Sequence, residues 1–296
     1  SPHHPPTPTH TMGDDLFELR TYFHLGNFSA AITEGNSIAI DDEGSKIDRD
    51  VILARCNIAL GKLDDVIASI SDNSPQALQA IKLYAQYLKD ASSHEIAVMT
   101  INEWLEDPVS SNNPTVLLVG VFIHALQLDF DTALRLATKG EPVSLELRAL
   151  KIQLLLRMDR ADVAAKALEA MRAAEEDATL TQLAAAWVGV GASGARGGIQ
   201  EGLYGFQEML ERHGGSDAVM NGVAVAQLAM ERADLAEKTL GEALGKNPNY
   251  AETLVNVIIT AKQRMKPAEL VARYLAQLRS VAPEHPWLKD LDEKEA

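Results

Sequence analysis

Residues 217–250 read DAVMNGVAVAQLAMERADLAEKTLGEALGKNPNY, and the interpretation of the whole chain starts from this stretch. Alanine and leucine dominate it, and small side chains stand at Ala224, Ala236 and Ala243 before Pro248 near its end. Across the chain, aromatic residues make up only 5% and no run of alternating Val, Ile and Thr suggests a sheet. The composition therefore predicts helices, and the question is whether they repeat.

The spacing of residues 217–250 recurs along the chain at intervals that average about 34 residues. Short bends at 25–28, 60–63 and 128–130 separate apolar helical stretches and are typical of helical hairpins. Counting from the bends, small or β-branched residues mark one face of each second helix at Ala31, Val66, Ala97, Ala133, Ala164, Gly202, Ala236 and Val271. Four residues further on, the same face continues with Gly35, Ile70, Ile101, Ala137, Leu168, Phe206, Leu240 and Leu275. The period is thus a property of a helix face and predicts that this face is buried.

A helix-turn-helix period of about 34 residues resembles the tetratricopeptide repeat, whose preferred offsets hold Ala224, Ala236, Ala243 and Pro248 in residues 217–250. We predict an all-α fold, a right-handed superhelix of about eight tetratricopeptide-like hairpins over residues 14–282. A short capping helix near Trp287–Leu291 and a tail are expected in residues 283–296. Residues 1–13, rich in Pro and His, are expected to form a disordered leader. The alternative is an irregular helical bundle whose spacing is accidental.

Several stretches are specific enough to suggest a family. They are EDATLTQLAAAWV at 176–188, FQEML at 206–210, ETLVNV at 252–257, RYLAQL at 273–278, His285-Pro286, and, more weakly, DLF at 15–17 and LGNF at 25–28. Through them the chain resembles the coatomer epsilon subunit family. The resemblance implies a non-enzymatic subunit of the coatomer vesicle coat. It would bind the carboxy-terminal domain of the alpha coat subunit, contact other coat subunits and support vesicle transport between Golgi and endoplasmic reticulum.

The resemblance also implies a location on the cytoplasmic face of Golgi membranes and coated vesicles, with membrane association only through the coat. The alternative is a transient tetratricopeptide adaptor that binds short peptide segments. Readers of carboxylate tails need clustered Lys and Asn side chains. Here the basic residues of the first helices alternate with Leu, Phe, Val and Ile, which favours an extended apolar contact.

Charge and hydropathy exclude several classes of protein. Lys plus Arg number 27 against 42 Asp plus Glu, a formal net charge of −15, so the basic footprint of a nucleic-acid binder is missing. The longest apolar run, residues 116–128, is shorter than the roughly 20 residues of a membrane-spanning helix. A single cysteine, Cys56, permits no intramolecular disulfide and is expected to be a small buried residue.

The sequence contains one motif that occurs in enzymes, a dinucleotide-binding glycine pattern, but the predicted secondary structure around it does not fit such a site. Gly189, Gly191 and Gly194 satisfy G-x-G-x-x-G, but the preceding residues 179–188 are predicted to form a helix, whereas a dinucleotide site follows a strand. Residues 189–198 are instead expected to end a helix and form a variable loop. No P-loop pattern can be written, and outside residues 1–13 no histidine stands three or four residues from another histidine or from Cys56. We therefore predict no catalytic residue, no cofactor and no metal.

The inner groove of the superhelix is the predicted partner site. The fifth, ninth and twelfth positions of the first helices resemble those that line such grooves, and, with the sixth repeat set aside because its glycines blur the frame, none of these positions is an Asp or Glu. The groove is thus expected to be apolar with some basic residues; the alternative is that first helices are simply more buried. The predicted contact residues are Arg20, Phe23, Arg55, Ile58, Lys82, Lys89 and Phe122. Phe23, Ile58 and Phe122 are expected to provide affinity, and Arg20, Arg55 and Lys89 to influence register and association rate.

Overall fold

The computed structural model describes residues 15–191 and 196–295, and within these ranges every regular element is helical. The predicted leader, residues 1–13, lies outside the described residues. The division of the chain into leader, superhelix and capping helix stays a prediction.

Sixteen of the α-helices form eight consecutive antiparallel hairpins in the described part of the chain. The first four hairpins are α1 (Phe17–His24) with α2 (Phe28–Ser37), α3 (Glu43–Ala59) with α4 (Leu63–Ser69), α5 (Gln76–Lys89) with α6 (His94–Glu106), and α7 (Pro114–Leu126) with α8 (Phe130–Gly140). The next four are α9 (Leu145–Arg157) with α10 (Ala161–Glu175), α11 (Thr179–Gly191) with α12 (Arg196–His213), α13 (Asp217–Ala229) with α14 (Ala233–Lys246), and α15 (Ala251–Gln263) with α16 (Ala268–Val281). A last helix, α17 (Pro286–Glu295), follows. The predicted all-α fold of tetratricopeptide-like hairpins is confirmed.

Local signals set where the helices begin. The side chain of Asn113 accepts a hydrogen bond from the backbone N–H of Thr115 at 2.9 Å, and Pro114 occupies the first helical position of α7. Ser144 caps α9 in the same way, and Ser216 caps α13. These caps satisfy amide groups that the helix itself leaves without acceptors.

Several of the bends within hairpins use a residue in the left-handed region. Gly26 and Gly61 have φ angles of 78° and 76°, which glycine adopts without strain. Leu128 and Met265 adopt φ angles of 62° and 51° at the corresponding point of their own hairpins, although neither is a glycine. The bends predicted at 25–28, 60–63 and 128–130 are confirmed, because a helix ends and the next begins at each.

The periodic face is buried, as the spacing predicts. Ala31, Ala97, Ala133, Ala164 and Ala236 are at most 1% exposed and lie where second helices pack against neighbouring helices. In the last hairpin, Val271 and Leu275 are only partly buried. That hairpin has a neighbour of the repeat type on one side only, and α17 covers part of its other side.

The glycine-rich stretch agrees only in part with the expected loop. Residues 189–191 end α11, as expected, but α12 already begins at Arg196, so residues 196–198 are helical rather than part of a loop. A Cβ atom added to Gly189 would lie 2.6 Å from the carbonyl oxygen of Gly198, so the glycines permit α11 and α12 to pack backbone against backbone. Gly194 lies outside the described residues.

The first helices of the first six hairpins close into a ring. Each packs against the next, and α11 packs back against α1. At this closure the hydroxyl oxygens of Thr21 and Thr179 lie 3.4 Å apart. The buried side chain of Leu25 joins the core formed by α9 to α13, and the hydroxyl of Ser216 donates a hydrogen bond to the carbonyl oxygen of Leu25. The seventh and eighth hairpins continue the array beyond the ring.

Candidate functional site

Ring closure encloses a cavity of about 440 Å³ between the first helices. Its lining comes from α1, α3, α7, α9 and α11, from the last residue of α10, and from the residues just before α9 and α11. Phe17 and Val143, 53% and 64% exposed, are large apolar side chains of this lining that solvent reaches. We call these two residues the cavity mouth. A concave site with exposed apolar side chains is a typical place for a partner to bind.

An arginine between two aromatic rings forms one wall of the ring interior. The guanidinium carbon of Arg55 lies 4.5 Å from the ring centre of Phe23 and 5.7 Å from that of Phe122. The ring of Phe122 in turn packs 5.2 Å from that of Tyr84. Such cation–π contacts fix the orientation of the guanidinium group and of both rings.

Arg55 also forms a two-pronged ion pair with Glu146 of α9, with one hydrogen bond of 3.0 Å from Nη1 to Oε2. The Arg55 side chain is only 10% exposed, so little water competes for its charge. Burial acts to raise the pKa of Glu146, but attraction to Arg55 outweighs it and holds that pKa below the ordinary value. The pair links α3 to α9 across the ring, and losing one partner would leave a poorly solvated charge.

His24, next to this pair, stays neutral at physiological pH. Burial lowers its pKa to about 4, opposed by Glu146 and assisted by Arg55 and Arg20. Arg20 lies 3.4 Å from Asp48, whose carboxylate also borders the cavity. The basic side chains of the cavity are therefore already paired with acids of the same chain.

The structure brings together some of the predicted contact residues and separates others. Arg20, Phe23 and Arg55 line the cavity, and Phe122 packs beside it against Tyr84 and Arg55. Lys82 pairs with Asp72 in the loop before α5, and Lys89 pairs with Asp64 at the start of α4. Ile58 is partly buried in the core of hairpins 2 to 4. Neither these two lysines nor Ile58 line the cavity.

The expectation of a groove free of acids is wrong. Asp48, Glu146 and Glu175 all line the cavity. Counting only the fifth, ninth and twelfth helix positions missed Glu146, which stands second in α9 and reaches inward because the ring closes. Arg55, which was expected to influence register and association rate, lies in the cavity lining and is paired with Glu146. Ser144, which caps α9, stands two residues before Glu146. A serine at this position is a helix-start signal, and it could have predicted that Glu146 lies in the first turn of α9.

Comparison with known proteins identifies the family. The sequence profile described as coatomer epsilon subunit matches residues 12–296. This chain belongs to the coatomer epsilon subunit family.

Curated relatives agree along nearly the full length. The chain is 36% identical over 276 residues to coatomer subunit epsilon-1 of Arabidopsis thaliana, covering 93% of this chain and 92% of the relative. It is 33% identical over 294 residues to coatomer subunit epsilon of Dictyostelium discoideum, covering 96% and 97% of the two chains. Members of this family are structural components of a vesicle coat and not enzymes.

Solved structures agree on the fold alone. The crystal structure of the APC/C hetero-tetramer Cut9-Hcn1 superposes with a TM-score of 0.62 at 15% identity, covering 95% of this chain and 55% of that one. A tetratricopeptide repeat protein from Parabacteroides merdae superposes with a TM-score of 0.54 at 12% identity, covering 94% and 95%. At such identities the likeness supports the helical-repeat architecture only.

The remaining chemical candidates of this epsilon-family chain have structural explanations. Gly189 and Gly191 belong to a helix rather than to a strand-turn-helix unit. Cys56 is fully buried, and burial raises the pKa of its thiol to about 12, so its reactive thiolate form is scarce. Within residues 15–191 and 196–295, no group of three or more His, Cys, Asp or Glu is arranged to hold a metal ion. Over the same ranges, no helix combines the length and apolarity needed to cross a bilayer.

Proposed function

We propose that the chain is a non-enzymatic structural subunit of coatomer that binds the carboxy-terminal domain of the alpha coat subunit at the central cavity. In this function it supports vesicle transport between Golgi and endoplasmic reticulum, on the cytoplasmic face of Golgi membranes and vesicles. Its membrane association is indirect, through the coat.

The main support for a binding site at the cavity is the exposure of its mouth. Phe17 and Val143 expose large apolar side chains beside a cavity, and such exposure costs free energy in water. Burial of these side chains by a partner removes that cost, and an apolar anchor in a concave site usually contributes a large share of binding energy. Membership in a coat-subunit family makes another coat subunit the natural partner.

The charges disfavour the alternative of a transient adaptor for carboxylate tails. A carboxylate clamp needs cations available to an incoming anion. Here Arg55 is paired with Glu146 and Arg20 lies against Asp48, so a terminal carboxylate would compete with acids already in place. An extended, mainly apolar contact with one permanent partner fits this arrangement better.

The experiment combines a binding measurement with a size measurement. Calorimetry of the purified chain with the carboxy-terminal domain of the alpha subunit is expected to show saturable one-to-one binding. Size-exclusion chromatography of cell lysate is expected to place the chain in a large complex. A chain that gives no heat with this domain and elutes mainly as a free small protein would contradict the proposal.

A further inference from the structure

Four exposed leucines gather where hairpins 2, 3 and 4 make their bends. Leu60, Leu88, Leu126 and Leu128 are 41%, 39%, 49% and 69% exposed and stand at the ends of α3, α5 and α7. These three helices pack side by side, so their ends lie along one edge of the ring. The amide of Gln127 donates a hydrogen bond of 2.6 Å to the hydroxyl of Tyr87, which ties the end of α7 to that of α5. We call residues 60–65, 88–93 and 126–131 the turn edge.

Leu128 stands out within the turn edge. Its φ angle of 62° is in the left-handed region, where a side chain with a Cβ costs about 1–2 kcal/mol and where hairpins 1 and 2 have Gly26 and Gly61. Because Leu128 is largely exposed, no burial within the chain offsets this strain. Met265 is similarly strained and exposed, but Leu128 belongs to a cluster of four exposed leucines, and such a cluster is most simply explained by a contact with another molecule.

The turn edge is acidic around its leucines. Its acids are Asp64, Asp65, Asp90, Asp129 and Asp131, and its bases are Lys62 and Lys89, a net charge of −3 by count. Hydrogen bonds from the side-chain hydroxyls of Ser92 and Thr132, and then from their backbone N–H groups, lower the pKa of Asp90 and Asp129 and keep both carboxyls ionised. An anionic lipid surface would be repelled by this edge, whereas a basic partner would be attracted.

We propose that the turn edge is a second docking surface, which binds a basic amphipathic segment of another protein with apolar side chains on the leucines and Lys or Arg against the acidic rim. The surface is separate from the central cavity. No residue of the turn edge lines the cavity, and Pro114, Leu145 and Thr179 of the cavity lining are the first residues of α7, α9 and α11, whereas the turn edge lies at the opposite ends of α3, α5 and α7. The inference therefore goes beyond the proposed contact with the alpha subunit in the cavity.

Photocrosslinking in the assembled coat identifies the segment. A p-benzoylphenylalanine is placed at position 126 of the chain, and a control chain carries it at position 235, where Leu235 is similarly exposed on α14. The expected result is a crosslink from position 126, absent from position 235, to a protein segment with apolar residues and net positive charge. A crosslink only to lipid, to a second copy of this chain or to an acidic segment, or no crosslink from position 126, would overturn the proposal.

Two glycine substitutions then test the leucines without risk to folding. Leu128→Gly and Met265→Gly each relieve a left-handed residue in a hairpin bend, so both variants should fold at least as well as wild type. Binding of a synthetic peptide of the crosslinked segment is measured by fluorescence anisotropy at two salt concentrations. Leu128→Gly is expected to weaken binding by about tenfold, Met265→Gly to leave it unchanged, and added salt to weaken it in all variants. Equal binding of the peptide by wild type and Leu128→Gly would contradict the proposal. This result is independent of whether the alpha-subunit domain binds at the cavity.

Discussion

At the scale of single residues, two glycines of second helices differ in what a methyl group would meet. A Cβ atom on Gly202 of α12 would lie 2.9 Å from the carbonyl oxygen of Ala186, a backbone atom of the adjacent helix. A Cβ atom on Gly241 of α14 would meet nothing within 4 Å. The same substitution should therefore have opposite effects at the two sites.

We expect Gly202→Ala to lower the free energy of unfolding by about 1–3 kcal/mol, because α11 and α12 must separate. Gly241→Ala should raise it by about 0.5–1 kcal/mol, because alanine restricts the unfolded chain and favours helix. Urea denaturation followed by circular dichroism measures both. A stability gain for Gly202→Ala would show that the two helices do not pack as closely as described.

His24 should make stability depend on pH. Its pKa is about 4 in the folded chain against 6.5 for the ordinary value, so the unfolded chain takes up the proton first as pH falls. The stabilisation is complete above about pH 6.5 and is lost as pH falls towards 4. Since the ring keeps some contact with solvent, we expect a loss of about 1–2 kcal/mol between pH 6.5 and 5.

His24→Gln is the control for this pH dependence. Wild type should lose about 1–2 kcal/mol of unfolding free energy relative to the variant as the pH falls from 6.5 to 5. The window stays above the ordinary pKa of Glu146, 4.5, which is further lowered by Arg55. A difference that is constant from pH 6.5 to 5 would mean that the His24 ring is solvated and titrates normally.

The surroundings of Arg55 show which parts of the cavity could be predicted from the sequence and which could not. Helix periodicity put Arg55 and Phe23 on the inner side of their helices, and both line the cavity. Periodicity could not find Glu146, because that ion pair joins residues 91 positions apart. Nor could it show that Lys82 and Lys89 pair with the nearby Asp72 and Asp64 rather than face the cavity.

At the scale of elements, the hairpins could be predicted because each repeat needs the same buried face against its neighbour. In the glycine-rich stretch, the helix end at Gly191 was predicted but the helical position of Gly198 was not, since glycine serves both in loops and where two helices approach closely. Ring closure was not predictable, because Thr21 and Thr179 are separated by 158 positions and no periodic signal connects them.

A disulfide tests the closure of α1 onto α11. In the variant Thr21→Cys with Thr179→Cys, the two sulfur atoms should lie close enough to form a bond after mild oxidation. Cys56 is fully buried and should not interfere. We expect loss of both new thiols and a rise in unfolding free energy of up to about 4 kcal/mol. The single variant Thr21→Cys is the control, and a double variant that keeps its thiols would indicate an open array in solution.

At the scale of the whole molecule, the chain forms a ring with two different surfaces, the cavity mouth and the turn edge. The cavity mouth presents apolar residues beside paired charges, and the turn edge presents leucines within an acidic rim. With a net charge of −15, the remaining surface should repel anionic lipids and nucleic acids and favour basic protein partners. Such a division of surfaces suits a subunit that holds one partner while contacting another.

The proposed contact with the alpha subunit lies at the cavity. Substitution of Phe122 or Arg55 would test it poorly, because both side chains stabilise the ring itself. Phe17 and Val143 are better probes, since both are largely exposed and should tolerate a polar side chain. Ile96, 68% exposed on α6 of hairpin 3, provides a matched apolar control away from the cavity.

The decisive measurement is calorimetry of Phe17→Asp, Val143→Asp and Ile96→Asp with the carboxy-terminal domain of the alpha subunit. A carboxylate at the mouth would have to be desolvated on binding, so both mouth variants should lose about tenfold or more in affinity. Ile96→Asp should bind like wild type. If the mouth variants bind like wild type and Ile96→Asp abolishes binding, the partner site is the outer surface and not the cavity.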